Sequence, residues 1–395
     1  MSGRTRSGLA AGLLALAAAL LPAPAMAAAD FPGCFALEGS SVPANRMAAL
    51  SRGFNVPDWV EAPETRTPDP VVLDHLQLLG MRHIRLPVNG ELVMPRFASE
   101  AETALTLESL RSVLARLTAN GWAASVDLHP GRRFSELHVS DPDAAEAEIA
   151  TAWTRLAGVI RDFPADAVFA ELLNEPSAGE AVWSEQMPRL AAHLREVLPE
   201  HTLIVGPSGA QRIDQLVRMQ PLEDPNVVYA VHYYDPMPFT HQGLTWAPPG
   251  DPLAPLAAVP FPATRNDPAV VSQIEALKAQ GHQRSADLLD RTLTIDWNAA
   301  MVAREFALLA EWSRKAGRPT LVNEFGVLRF VANPTDRARW LAAVVDAAET
   351  NCTAWTHWDF SDGFGLLDDL TRLPDSLIVR ALFDPASVGG EGDGL

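Results

Sequence analysis

Glu175 and Glu324 each close an apolar run, the first in VFAELLNEP and the second in PTLVNEFG. Other polar side chains break similar runs: Arg85 in HIRLPV, His129 in AASVDLH, Asn174 beside Glu175, His232 and Tyr234 in VVYAVHYY, and Trp358 in TAWTHWDF. A charged or polar group inside an apolar run is costly to bury without a partner. So many of them predict one shared site rather than unrelated buried pairs. A pair of carboxyls suits cleavage of a glycosidic bond: one protonates the leaving oxygen while the other attacks the anomeric carbon. In a retaining reaction the carboxyls stand about 5 Å apart. Arg85 near Glu324 would keep that carboxylate ionised, and the Tyr234 hydroxyl would orient it. If Glu175 is then the acid, it is expected to begin protonated, in a less solvated position away from Arg85.

The elements that must hold these residues are short apolar runs alternating with amphipathic stretches. The runs cover 49–56, 83–88, 123–129, 168–174, 201–207, 227–234, 319–326 and 353–360. Several are almost continuously apolar, as parallel strands covered on both faces are. Between them lie helical patterns such as 107–121, 144–163 and 298–317; in the first, Leu110, Val113, Leu114 and Leu117 share a face before Asn120-Gly121 stops the helix. This order predicts an α/β fold, a (β/α)8 TIM barrel, rather than an open sheet with a glycine-rich phosphate loop after its first strand. Each site residue then sits at the C-terminal end of its strand, Arg85 ending the second, on the rim where such barrels build active sites. Glu175 and Glu324, on the fourth and seventh strands, would face each other across the mouth.

One connection is unusually long. Residues 235–295, after the sixth strand, are rich in proline and carry Phe239, His241, Trp246 and Phe261. An insertion there lies on the catalytic face and is expected to wall one side of a substrate cleft, with His241 and Trp246 as possible contacts. Asn55 and Trp59, after the first strand, are further possible contacts, with packing as the other reading of Trp59.

Bulk properties narrow the partners. The 395 residues carry a formal charge of −18, or −20 once Arg4 and Arg6 are removed with the first 27 residues. Such acidity disfavours nucleic acid and anionic membranes, so a neutral polymer is the easier partner. Arg4 and Arg6, the apolar run 9–21 and Ala25-Met26-Ala27 form a signal peptide over residues 1–27, and imply a secreted or periplasmic protein. Catalytic domain 28–387 and a flexible tail 388–395 follow. Cys34 and Cys352 are the only cysteines. In an oxidising compartment they are expected to form a disulfide binding the N-terminal segment to the start of the eighth strand; two separate buried thiols are the other reading. VGPSG at 205–209 misses the serine-nucleophile elbow by one residue, and H-E-x-x-H is absent, so neither a serine hydrolase nor a zinc site is expected.

Asn174-Glu175-Pro176, Asn323-Glu324-Phe325-Gly326, and the RGFN, RLPV, DLH and HYY segments resemble glycoside hydrolase family 5, the cellulase family, over roughly residues 50–365. The resemblance implies Glu175 as acid/base and Glu324 as nucleophile, supported by Arg85. It further implies Asn174 on the sugar 2-hydroxyl, His129, His232 and Tyr234 lining the −1 subsite, and Trp358 as an aromatic platform beneath the −1 sugar. The expected activity is endo-acting, retaining hydrolysis of a β-1,4-linked glucan by a monomer that needs no cofactor and no metal. A β-mannanase or an enzyme trimming its host's exopolysaccharide is the alternative within enzymes. An inactive polysaccharide-binding protein is the alternative outside them.

Overall fold

The computed structural model describes Cys34, Leu37 and residues 39–389; the expected signal peptide and residues 390–395 of the expected tail lie outside the described residues. Residues 388 and 389, placed in the tail by the sequence, belong to a short helix, Ala386–Gly389. Eight parallel strands close into a barrel in sequence order. They are β1 Arg52–Asn55, β2 His83–Asn89, β3 Ala123–His129, β4 Val168–Glu171, β5 Leu203–Val205, β6 Val227–Tyr233, β7 Thr320–Phe325 and β8 Ala354–His357. All of their residues are buried except Asn89 and His129 at the upper ends of β2 and β3, which is why the runs read as continuously apolar. The first strand is shorter than its run, because residues 44–50 form a helix instead.

Outside the strands lie α1 Pro70–Leu79, α2 Glu100–Ala119, α3 Pro142–Ile160, α4 Glu180–Val197, α5 Ile213–Leu216, α6 Ala299–Ala316, α7 Pro334–Thr350 and α8 Ser376–Phe383. Their starts follow capping chemistry. Asp69 accepts from the Val71 N–H ahead of Pro70, and Ser99 with Glu102 forms a reciprocal capping box. At the far end of α6, Gly317 takes φ 61°, the left-handed stop that a side chain resists.

The bottom of the barrel is plugged by Ala44–Leu50, whose Met47 and Leu50 pack on Ala123, Phe169, Ile204, Val228, Leu321 and Ala354 from the strands. Arg46 fixes this helix by bonding the Asp166 carboxylate and the Glu200 carbonyl, each at 2.7 Å. The insertion is a compact unit with its own helices, Pro268–Ala279 and Gln283–Thr292, closed by backbone pairing of Ala263 with Trp297. Among the described residues no helix is long and apolar enough to cross a membrane.

Cys34 and Cys352 are joined in a disulfide between residues 318 apart in sequence. Beside it, Arg52 of β1 pairs with Glu349 at 2.7 Å, and Glu349 also accepts from the Trp355 indole at 3.0 Å. Closing so long a loop restricts the unfolded chain, worth about 3–5 kcal/mol. Replacing both cysteines by alanine is expected to lower unfolding free energy by that amount, measured by urea titration. Equal midpoints with and without reductant would contradict it.

Candidate active site

The site is built around one buried cation. Arg85 is the third residue of β2, within the strand rather than at its end as the sequence suggested, and its side chain is fully buried. From there its guanidinium reaches up the barrel axis and uses all its N–H donors. Nε and Nη2 bond both oxygens of Glu171, each at 2.7 Å. Nη2 also bonds Asn174 Oδ1 at 2.8 Å, and Nη1 bonds Asn55 Oδ1 at 3.0 Å and Glu324 Oε1 at 2.8 Å. Asp127 adds a further ion pair at 2.9 Å. Burial alone would push the guanidinium's pKa down, but the Asp127, Glu171 and Glu324 carboxylates outweigh it and hold Arg85 cationic. The same burial, with the Asp127 charge beside it, pushes the Glu171 carboxyl above the usual carboxylate range.

Local backbone irregularities turn both glutamates toward the mouth. Between β6 and β7 the register steps from Val231 opposite Val322 to His232 opposite Glu324, leaving Asn323 as the extra residue of a bulge. Successive strand side chains normally alternate; here Asn323 bonds Glu171 at 2.8 Å while Glu324 still reaches Arg85. On the other side, Glu175 follows Asn174 with φ 39°, a left-handed turn uncommon outside glycine.

Above Arg85, a cleft of about 410 Å³ is lined by His129, Asn174, Glu175, His232, Tyr234, Glu324 and Trp358. His232 stands between the carboxyls, its Nδ1 lying 3.0 Å from Glu175 Oε1 and 3.5 Å from Glu324 Oε2. Because both oxygens touch one nitrogen, they lie no more than about 6.5 Å apart, which allows the about 5–5.5 Å separation of a retaining pair. Tyr234 donates to Glu324 Oε2 at 3.1 Å; burial and the Glu324 charge hold its pKa well above the ordinary value, so the hydroxyl stays a donor. His129 Nδ1 bonds Asp127 at 2.8 Å, and its ring stacks near Trp358 at 6.1 Å and 14°. Burial alone would make His129 less basic, but the Asp127 hydrogen bond raises its pKa above the ordinary value.

The expectation of a poorly solvated, protonated Glu175 is not met in the free protein. Its side chain keeps 43% of its exposure. Burial would raise its pKa, but the hydrogen bond and charge of His232 outweigh that and hold it below the usual carboxylate range. His232 moves the other way: burial opposes its charge, yet Glu324 and then Glu175 raise its pKa above 6.5. The two shifts are reciprocal, as the hydrogen bond between a carboxyl and an imidazole requires.

Of the two possible contacts after the first strand, one is corrected and the other takes its packing reading. Asn55 is fully buried and donates to the Asn323 and His357 carbonyls, so it braces the barrel and does not face the cleft. Trp59 is 1% exposed, its indole bonded to Thr67, so it is a packing residue. The insertion does wall the cleft, through Met237, His241, Leu244 and Trp246. Trp246 is 59% exposed with its ring 6.1 Å from Phe364, whereas Phe239 is buried against Phe261 inside the insertion. His241 packs on Tyr234 and Phe364, and burial lowers its pKa to about 4. Asp127, Glu171 and the role of Asn323 went unread in the sequence. Asp127 and Glu171 interrupt apolar runs just as the chosen residues do, and that signal could have found them.

Replacing Arg85 by Met would leave Asp127, Glu171 and Glu324 buried around an apolar chain. A loss of about 3–5 kcal/mol in unfolding free energy is expected. Arg85→Lys, which keeps the charge but not the planar fork, should lose less. Denaturant titration of both variants checks the order.

A family model for cellulases, glycosyl hydrolase family 5, matches residues 42–363. Among curated proteins, Endoglucanase 3 of Fibrobacter succinogenes is 23% identical over 350 residues, covering 82% of this chain and 51% of that protein. Endoglucanase H of Acetivibrio thermocellus is 22% identical, covering 87% of this chain and 34% of its own. The chain thus spans about half the length, or less, of these curated relatives. In fold it is similar to cellulose synthase subunit Z of Clostridioides difficile, with TM-score 0.65, 21% identity, and 84% and 99% of the two chains covered. It is likewise similar to a mutant form of Thermotoga maritima Cel5A solved with cellobiose, with TM-score 0.68, 23% identity, and 87% and 99% covered. With most of its length matched, the chain belongs to the cellulase family, glycosyl hydrolase family 5.

Proposed function

We propose that the protein is an endo-acting, retaining hydrolase of a neutral β-1,4-linked glucan, with Glu324 as nucleophile and Glu175 as acid/base. The observation that carries the reading is the placement of both carboxyls on one histidine nitrogen, at 3.0 and 3.5 Å, at the floor of an aromatic-walled cleft. Glu324, between the Arg85 guanidinium and the Tyr234 hydroxyl, is held ready to attack. Glu175 lies across from it and delivers a proton to the leaving oxygen, drawing on the proton it shares with His232. In the second step it takes a proton from water. Asn174, whose oxygen is committed to Arg85 and whose amide nitrogen lies 3.4 Å from His129 Nε2, keeps one amide N–H for a substrate hydroxyl. Trp358 supplies the face beneath the sugar, and Trp246 extends the apolar wall beyond it. The relatives named endoglucanases and the fold neighbour solved with cellobiose support a glucan. The net charge of −18 supports a neutral polymer, and the N-terminal pattern of residues 1–27 supports export.

Release of reducing ends from a panel of β-glucans and β-mannans separates an enzyme from a binding protein and ranks the substrates. The first-formed anomer, followed by NMR, should retain configuration; an inverted product would remove the nucleophile assignment. Glu324→Ala should abolish turnover, with azide restoring it through an inverted glycosyl azide. Glu175→Ala should harm substrates with poor leaving groups far more than activated aryl glycosides, a loss of about 10²–10⁴-fold.

The proton arrangement fixes the sign of the pH response. Turnover needs one proton on the Glu175–His232 pair, and the raised His232 holds it beyond the ordinary histidine value of 6.5. The falling limb of kcat/KM is therefore expected above that value, and a limb below it would count against the shared proton.

A further inference from the structure

We infer that Gln211, in the loop after β5, is a positioning residue that sets the aim of Glu175 and its contact with His232; the inference rests on the reading of Glu175 as acid/base. Gln211 is fully buried. Its side-chain Oε1 accepts from the Glu175 backbone N–H at 3.1 Å, and its own carbonyl accepts from the His232 backbone N–H at 2.9 Å. A single residue thus holds the backbones of both members of the proton-sharing pair. The orientation of its amide is fixed by chemistry, since the Glu175 N–H can only be met by the oxygen.

Three further observations mark the contact as built. First, Glu175 and Gln211 both occupy the left-handed region, with φ 39° and 46°, and neither is glycine. That conformation resists side chains and persists only where surroundings enforce it. Second, the Gln211 Nε2 is buried without a partner, so the amide is not placed for the sake of its nitrogen. Third, Gly206 at the end of β5 makes room for it: a Cβ there would stand 1.9 Å from Gln211 Nε2 and 2.9 Å from the Ala230 carbonyl. The Gly209 N–H bonds the Pro176 carbonyl at 2.8 Å, closing the same loop over the turn that carries Glu175.

The left-handed turn is what brings the Glu175 carboxyl to the same cleft as Asn174, 3.0 Å from His232. Without the Gln211 oxygen the Glu175 N–H loses its acceptor and the turn can relax toward extended backbone, swinging the carboxyl from His232 and from the leaving oxygen. Glu324, held independently by Arg85 and Tyr234, keeps its place. Proton donation should suffer and nucleophilic attack should not.

Gln211→Met keeps the length and removes the acceptor. Its kcat/KM on cello-oligosaccharides, whose leaving alkoxide needs a proton, should fall about 10–100-fold, a modest share of what general acid catalysis supplies. Its kcat/KM on a dinitrophenyl β-cellobioside, which reports only the first step and whose leaving group needs no proton, should stay near wild type. Gln211→Glu restores an acceptor of the same reach. It should recover the wild-type ratio of the two rates and move the alkaline limb upward, because an added carboxylate favours the proton on the pair. Equal losses on both substrates, or none, would overturn the inference. If Gln211→Met does not fold, an unmoved alkaline limb in Gln211→Glu does so. Wild-type protein that turns over neither substrate defeats the acid/base reading and this inference together; active wild type with equal losses defeats only Gln211.

Discussion

A guanidinium sealed inside a barrel must have every donor met by an acceptor held at the right height, and the rest of the site follows from that requirement. Arg85 draws its partners from several strands and strand ends: Asn55 of β1, Asp127 of β3, Glu171 and Asn174 at the end of β4, and Glu324 of β7. Where water is excluded, an unpaired charge is expensive and a paired one strong. The strands cannot slide against one another without breaking a charged contact. Below this layer, His83 bridges Ser125 and Thr356, and beneath that the barrel is filled and plugged by apolar side chains. Polarity therefore rises along the barrel axis toward the mouth, and the reactive carboxyls sit where that gradient meets solvent.

Charge balance explains the proton arrangement. Asp127, Glu171 and Glu324 surround the Arg85 guanidinium, and Glu175 stands just above them against His232. The shortfall is met by protons: Glu171 is made less acidic, and His129 and His232 more basic. The simple rule that an enclosed carboxyl becomes a weaker acid holds for Glu171, which faces only the barrel interior. It fails for Glu175, because an imidazole of opposite charge is bonded directly to it. Burial and pairing act in opposite senses, and here pairing is the larger.

The strand pattern was legible because parallel strands with both faces covered must be apolar almost throughout, and the rim residues were legible as exceptions to it. Strand boundaries were less so: Ala49 and Leu50 satisfy a helix as well as a strand, and the plug claimed them. Asn55 was misread, and Trp59 was left between contact and packing, because position after a strand does not say which way a side chain points. The bulge at Asn323 and the left-handed Glu175 leave no compositional trace, since each is imposed by contacts from distant segments. Gln211 belongs to the same class: its loop sequence is unremarkable, and its partner is 36 residues away.

A barrel closes on itself only where its last strand meets its first, along the β1–β8 seam. Cys34 and Cys352 join the chain just before the first strand to the chain just before the last, beside that seam. Everything between them, including all the strands except β8, is thereby a covalent ring. A single peptide cut in any loop of that ring, the long insertion included, opens it without releasing a fragment. The pieces remain one molecule and re-pair at intramolecular concentration until the bridge is reduced.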